Sequence, residues 1–278
     1  MEADPTARRP AQFYRCPRCK SALVEVHGGL RCAACGSVFP VVDDIAEFLS
    51  GELSASSDPQ LRRMRFIDKM AGLYETPLWY PVVMRLYGGL RAPLLPQLIG
   101  AIANILAPVR GSVLDAACGP ATFGRKIASP EREVWGIDVS VGMLRQGAAY
   151  AARENVANLH LARARVEALP FADASFDAVI CCGSLHLFTD TVAALKEMAR
   201  TMKAGAIFAS FTFTPGDGGL LKYDSFRRWS RERHGLHVFA LEELRRDLTS
   251  TDFEDIRPEI AGSVVTFSAR KRASQRLP

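Results

Sequence analysis

The stretch Val113-Leu-Asp-Ala-Ala-Cys-Gly-Pro-Ala-Thr-Phe-Gly124, followed by Gly136-Ile-Asp138-Val139, decides the fold. It reads as a buried strand, a tight turn of small residues, a helix start, and a second strand that ends in an acid. This order builds a nucleoside-binding crevice in a doubly wound α/β sheet. Asp115 closes the first strand just ahead of the turn. A carboxylate there repels the pyrophosphate of a dinucleotide, whose phosphates seek bare amides and a helix N-terminus. It suits a ligand that carries a cationic amine and no phosphate.

Outward from this core the pattern alternates. Strands are predicted over 112–116, 133–138, 158–162, 176–182, 205–213, 254–261 and 263–270. Helices are predicted from 121 and over 141–152, 189–202 and 241–249. The result is an α/β, Rossmann-like sheet of seven strands. Upstream, 59–72 has helical periodicity through Leu61, Met64, Ile67 and Met70, and 94–106 is a second apolar helix closed by Pro108 and Gly111. A chain of 278 residues holds one such domain plus a small satellite module. No run is long enough to cross a bilayer. The acidic start, Met-Glu-Ala-Asp-Pro, lacks the apolar stretch of a secretory signal. Cytoplasmic residence is therefore expected. The net charge of +5 is modest, with basic residues gathered at 62–65, at 227–233 and in the tail Arg270-Lys271-Arg272 with Arg276. Solvated helix faces explain these runs, and so does an anionic substrate or a nucleic-acid footprint.

Four of the seven cysteines form two CxxC pairs, Cys16/Cys19 and Cys32/Cys35, twelve residues apart. Two knuckles that each present two thiolates make a tetrahedral S₄ site, and soft thiolates in that geometry favour Zn²⁺, with iron the alternative. A unit of this size has too little core to fold without its metal. His27 sits in the intervening His-Gly-Gly turn and is surplus to a saturated site. The other three cysteines, Cys118, Cys181 and Cys182, lie in apolar contexts and read as core or pocket-wall residues. Domain organisation follows: 1–12 a disordered tail, 13–50 a zinc ribbon, 51–58 a Ser/Gly-rich linker, and 59–278 the α/β domain.

Taken together, these motifs resemble the class I S-adenosylmethionine-dependent methyltransferases from about residue 58 to 271. Asp115-Ala-Ala-Cys-Gly119 is similar to the family's acid-small-small-Cys-Gly loop, and Asp138 to the acid that ends its second strand. Glu167-Ala-Leu-Pro-Phe-Ala-Asp-Ala-Ser-Phe-Asp-Ala-Val is similar to the stretch leading into the fourth strand. Leu185-His186 resembles the pair beyond that strand, and Glu197-Met-Ala-Arg-Thr-Met-Lys-Ala-Gly the helix and turn before the fifth. Val38-Phe-Pro-Val-Val-Asp-Asp-Ile-Ala resembles the tail of the ribbons found in small activator subunits of tRNA and rRNA methyltransferases.

The resemblance implies S-adenosylmethionine as cofactor and assigns its contacts. Asp115, Ala117, Cys118 and Gly119 hold the methionine moiety. Asp138, with Val139 beside it, accepts the ribose hydroxyls, and Met143 walls the ribose and adenine. Arg165, Val166 and Glu167 lie where the adenine is read, Cys182-Gly183 lies beneath the sulfonium, and Tyr74 closes over the carboxylate. Three departures stand out. Ala117 and Ala121 replace frequent glycines, and alanine is tolerated there only while φ stays negative. Arg165 stands where many members carry an aspartate that accepts the adenine amino group, and an arginine cannot accept a hydrogen bond. Adenine recognition then falls to the Val166 amide or to Glu167.

His186 is the candidate general base, expected to project from the end of the fourth strand toward the methyl acceptor. Two segments are expected to form a substrate lid: 73–91, with Trp79, Tyr80, Met84 and Tyr87, and the insertion 214–240 with its Pro-Gly-Asp-Gly-Gly hinge. Packing of those aromatics against the sheet is the competing reading. The reaction expected is methylation at oxygen or carbon of a small, largely apolar molecule. One alternative is an RNA base methyltransferase whose ribbon grips RNA. A second is a scaffold that keeps the fold without the chemistry.

Overall fold

The computed structural model describes residues 10–49, 76 and 78–273. The predicted helix 59–72, the linker 51–58 and Tyr74 lie outside the described residues. The ribbon begins with one helical turn, α1 (Pro10–Phe13), which reaches into the stretch expected to be disordered. It continues through β1 (Leu23–Val26), β2 (Gly29–Cys32), β3 (Val38–Val42) and β4 (Ile45–Glu47). Next come α2 (Trp79–Val83), extended as a π-helical turn over Met84–Gly88, and α3 (Leu95–Ile105).

The α/β core follows in alternation. Its elements are β5 (Gly111–Ala116), α4 (Thr122–Ile127), β6 (Arg132–Asp138), α5 (Val141–Glu154) and β7 (Leu159–Arg163). After them come β8 (Phe176–Cys182), α6 (Thr191–Thr201) and β9 (Met202–Phe213). The chain closes with α7 (Asp224–His234), α8 (Leu241–Ser250), β10 (Phe253–Ala261) and β11 (Val264–Lys271). The predicted strands are all present, with ends shifted by three residues at most. The segment 214–240, read from sequence as a lid insertion with a glycine hinge, contains α7.

Spatial order across the sheet is β7-β6-β5-β8-β9-β11-β10, with the first five parallel and β11 and β10 antiparallel. Chain direction across the sheet reverses between β5 and β8. This is the switch point at which open α/β sheets bind ligands beyond the carboxyl ends of their strands. The pleat sorts the apolar residues onto two faces. Leu114, Trp135, Val179 and Cys181 join one buried cluster, and Val113, Val134, Ala178 and Ile180 join the other. Cover on both faces explains why these strands are almost continuously apolar.

The sheet is larger than the seven strands read from sequence, because the ribbon adds its own four to the β7 edge. β4 pairs parallel with β7, Ala46 opposite Ala162 and Glu47 opposite Arg163. Around that seam the ribbon shares the domain's core. Phe13 stacks on Trp135 at 4.3 Å, and Tyr14 packs edge-on against the same indole at 5.4 Å. Each such aromatic pair contributes about 1 kcal/mol beyond its buried area. The ribbon also grips the segment after β7 at three points. The Phe48 amide donates to the Arg163 carbonyl at 2.8 Å, and the Arg15 amide to Pro170 at 2.8 Å. The Lys20 ammonium donates to the Leu169 carbonyl at 3.1 Å.

Candidate functional site

Beyond β5 the chain curls through three left-handed residues, Ala117 (φ 57°), Gly119 (φ 55°) and Ala121 (φ 54°). The expectation that the two alanines keep negative φ is corrected. Both take the left-handed path, and each alanine bears a cost of about 1 kcal/mol for it. Replacing Ala117 with glycine is expected to relieve that strain against a smaller entropic loss and raise the melting temperature by roughly 2 °C. A fall in a thermal scan would contradict the strain. The curl leaves bare backbone at the mouth of the sheet: a Cβ on Gly119 would meet nothing within 4 Å. The Gly119 amide donates to Asp138 Oδ2 at 2.8 Å, and the Ser140 amide to Asp138 Oδ1 at 2.8 Å. Two backbone donors thus fix this carboxylate at the carboxyl end of β6. Ser140, not Asp138, caps α5, accepting from the Met143 amide at 3.1 Å.

A cleft opens here. Ala117, Cys118 and Gly119 form one wall, and Asp138, Val139 and Met143 a second. Val166 and Glu167 close the far end, with Cys182 and Gly183 beneath. Gly183 is required at its position, since its φ is 75° and a Cβ would lie 2.8 Å from the Phe211 ring. Tyr80, of the expected lid, also lines the cleft, whereas Met84 and Tyr87 pack into the core as the competing reading held. Thr122, Phe123, Ala164, Ser184, Leu187 and Phe188 complete the lining and were not singled out from sequence. Their spacing carried a signal: in a 3₁₀ turn residues three apart share a side, which sets Ser184 and Leu187 together.

Three assignments are corrected by the geometry. Asp115 does not face the cleft. It is buried under the loop, where its Oδ2 accepts the Gly124 amide of the first turn of α4 at 2.9 Å. An orphan helix N–H inside the core draws the carboxylate inward, so the argument from a carboxylate greeting an amine fails at this residue. Burial raises the Asp115 carboxyl to about 7. Because the folded-state value lies above the unfolded one of about 3.9, the proton is favoured in the fold, and stability is lost as pH rises from about 4 through 7. Asp115→Asn keeps an acceptor for Gly124 and removes that loss. In urea titrations of the cofactor-free protein it is expected to gain up to about 4 kcal/mol over the parent near pH 8, and nothing near pH 4. A gain of equal size at both pH values would rule out this origin.

Arg165 likewise leaves the cleft. Its backbone is extended at the N-cap of the 3₁₀ turn Val166–Ala168, and it lines a separate cavity against the ribbon with Arg18, Phe39 and Phe48. Glu167 and Val166 remain on the wall, so the missing aspartate is not replaced by a cation facing the ligand. His186 also stands off the wall. The 3₁₀ turn Leu185–Leu187 directs Leu187 into the cleft and His186 away, onto Phe213 at 4.8 Å, with Nδ1 3.2 Å from Thr212 Oγ1. Burial, with His237 nearby, lowers the imidazole to about 3. It stays neutral through the physiological range.

The four ribbon cysteines converge as their spacing predicted, with all four sulfurs within 4.8 Å of one another. Cys16 and Cys35 sulfurs are 3.7 Å apart, and those of Cys19 and Cys32 are 3.4 Å apart. A tetrahedron with 2.3 Å metal–sulfur bonds has edges of about 3.8 Å, so the set fits a zinc ion. Two matching knuckles build it. The Lys20 amide donates to the Cys16 carbonyl, and the Gly36 amide to that of Cys32.

Residues 113–205 match the methyltransferase domain family, and residues 13–44 match the Trm112p-like protein family. Over those residues the core is similar to methyltransferase domains. Ahead of it stands a Trm112p-like ribbon. An uncharacterized chloroplastic methyltransferase of Arabidopsis thaliana is 30% identical over 173 residues, covering 58% of this chain and 47% of that protein. Malonyl-[acyl-carrier protein] O-methyltransferase of Pseudescherichia vulneris is 37% identical over 105 residues, 38% of this chain and 40% of that one. Demethylmenaquinone methyltransferase of Geobacillus kaustophilus is 36% identical over 97 residues, 34% of this chain and 42% of that one. The chain spans less than half the length of these curated relatives. The methyltransferase domain shares its fold with Haemonchus contortus phosphoethanolamine N-methyltransferase 2, solved with S-adenosylhomocysteine and phosphomonomethylethanolamine. That match has a TM-score of 0.61 at 18% identity and covers 77% of this chain and 60% of the other.

Proposed function

We propose that the protein is an S-adenosylmethionine-dependent methyltransferase that methylates oxygen or carbon of a small, largely apolar molecule, with Zn²⁺ in its ribbon. Bound there, the cofactor supplies a methyl group already activated as a sulfonium. The observation that carries this reading is the cleft itself, where a rigid carboxylate and a bare-backbone turn face a mostly apolar space. Asp138 would receive the ribose hydroxyls. The turn through Ala117–Gly119 would take the amino-acid end, with backbone groups in place of the buried Asp115. Val166 and Glu167 would read the adenine. Tyr80, Phe123, Leu187 and Phe188 offer the acceptor no charge and few hydrogen bonds.

With His186 off the wall, alignment and exclusion of water would supply the rate, as an in-line displacement on a reactive sulfonium permits. Oxygen is the acceptor atom in the name of the malonyl relative. Cytoplasmic residence suits four reduced thiolates, and no helix among the described residues is long and apolar enough to cross a membrane. Titration calorimetry with S-adenosylmethionine and S-adenosylhomocysteine tests the reading. Saturable binding of both is expected, and silence at millimolar concentration would leave only a scaffold. Gel-shift with total RNA across a salt series tests the RNA alternative, because a phosphate-gripping protein loses affinity steeply as salt rises.

A further inference from the structure

The helix that brings Tyr80 to the cleft is apolar on both sides. Tyr80, Met84 and Gly88 face the core. The opposite side carries Leu78, Val82 and Leu86, four residues apart and therefore on one face, with exposures of 73, 57 and 47%. Leu90, in the turn that follows, is 87% exposed. A helix apolar all round belongs inside protein or lipid rather than in water. The turn is firmly held. The Arg85 guanidinium donates to the carbonyls of Leu90 and Ala92, and Gly88–Gly89 pack against Gly218–Gly219 too closely for any side chain.

Cations flank this stripe. Within 78–91 the only charged residues are Arg85 and Arg91. Tyr87 contacts Phe226 at 5.9 Å, and Phe226 contacts Trp229 at 5.4 Å, which sets α7 alongside. Trp229 is 50% exposed among Arg228, Arg231 and Arg233. Across 78–91 and 217–234 together there are seven Lys/Arg against three acids. Exposed aliphatics with tryptophan and arginine at their margin are the composition of segments that lie in a membrane interface.

We propose that this face docks the protein on an anionic bilayer, with Leu78, Val82, Leu86 and Leu90 entering the headgroup boundary and Arg228 and Arg233 meeting lipid phosphates. Arg85 instead holds the turn, and Arg91 and Arg227 pair with Asp217 and Asp224. The proposal rests on the methyltransferase reading with an apolar acceptor. Tyr80 lines the cleft from the opposite side of the same helix, so docking brings the cleft within about one helix diameter, roughly 10 Å, of the surface where an apolar acceptor concentrates.

Sedimentation of the full chain with vesicles tests it, using phosphatidylcholine alone or mixed with phosphatidylglycerol. Binding to the mixed vesicles is expected to be at least about tenfold tighter and to weaken with salt. Val82→Asp/Leu86→Asp is expected to lose about tenfold or more with melting temperature and S-adenosylmethionine affinity unchanged. Arg228→Glu/Arg233→Glu, with the stripe intact, is expected to lose about fivefold or more per cation. Three results would overturn the proposal: no sedimentation with mixed vesicles, equal binding to both kinds, or a dimer by light scattering that Val82→Asp/Leu86→Asp splits. The dimer would assign the stripe to a second copy. Absent cofactor binding with vesicle binding intact would instead remove the methyltransferase reading and leave the docking surface standing.

Discussion

Asp138→Ala is expected to weaken S-adenosylmethionine binding about 100-fold or more. Hydrogen bonds to a charged acceptor contribute about 1.5–3 kcal/mol each, and this carboxylate would serve two ribose hydroxyls. It also holds the loop, since Gly119 and Ser140 both donate to it. Two effects are therefore separable. Asp138→Asn keeps the shape but only one acceptor, so its NH2 faces either the Gly119 or the Ser140 amide, and it is expected to fall between parent and alanine in both affinity and melting temperature. Calorimetry at one pH with a thermal scan on the same samples makes the comparison. Alanine binding within a few-fold of the parent would move the ribose elsewhere.

Loss of the ribbon metal is the second large effect. Structural zinc contributes about 10–16 kcal/mol in isolated fingers, comparable to or larger than the whole stability of a domain. Cys16→Ser, or a strong chelator, is expected to melt the ribbon and expose the aromatic seam of Phe13 and Tyr14. Several kcal/mol lost in a domain of this size lowers the melting temperature by roughly 10 °C. Cofactor affinity should fall too. Arg163, Leu169 and Pro170, whose carbonyls the ribbon holds, bracket Val166 and Glu167 on the cleft wall. Unchanged melting and unchanged affinity after verified metal removal would make the ribbon a passive appendage.

What sequence made legible was local. The cysteine spacing, the acid at the end of β6, the small-residue turn and the strand succession each depend on neighbours a few residues away. What escaped depended on tertiary direction. Nothing near Asp115 in sequence says that the helix nine residues on will claim its carboxylate. His186 was misdirected because the pitch of one 3₁₀ turn decides which of three successive side chains sees the cleft. Arg165 reads as a defective adenine contact until the ribbon is seen packing beside it. The three residues of β4 are too short to announce a strand, yet they join two modules into one sheet.

That seam has a further consequence. A ribbon on a separate chain must be captured from solution and is shed on dilution. Here the tether holds it at an effective concentration on the order of millimolar, so its occupancy of the β7 edge cannot be titrated by supply. Control over this partnership must then act on the metal or on the seam, because the two modules belong to one polypeptide.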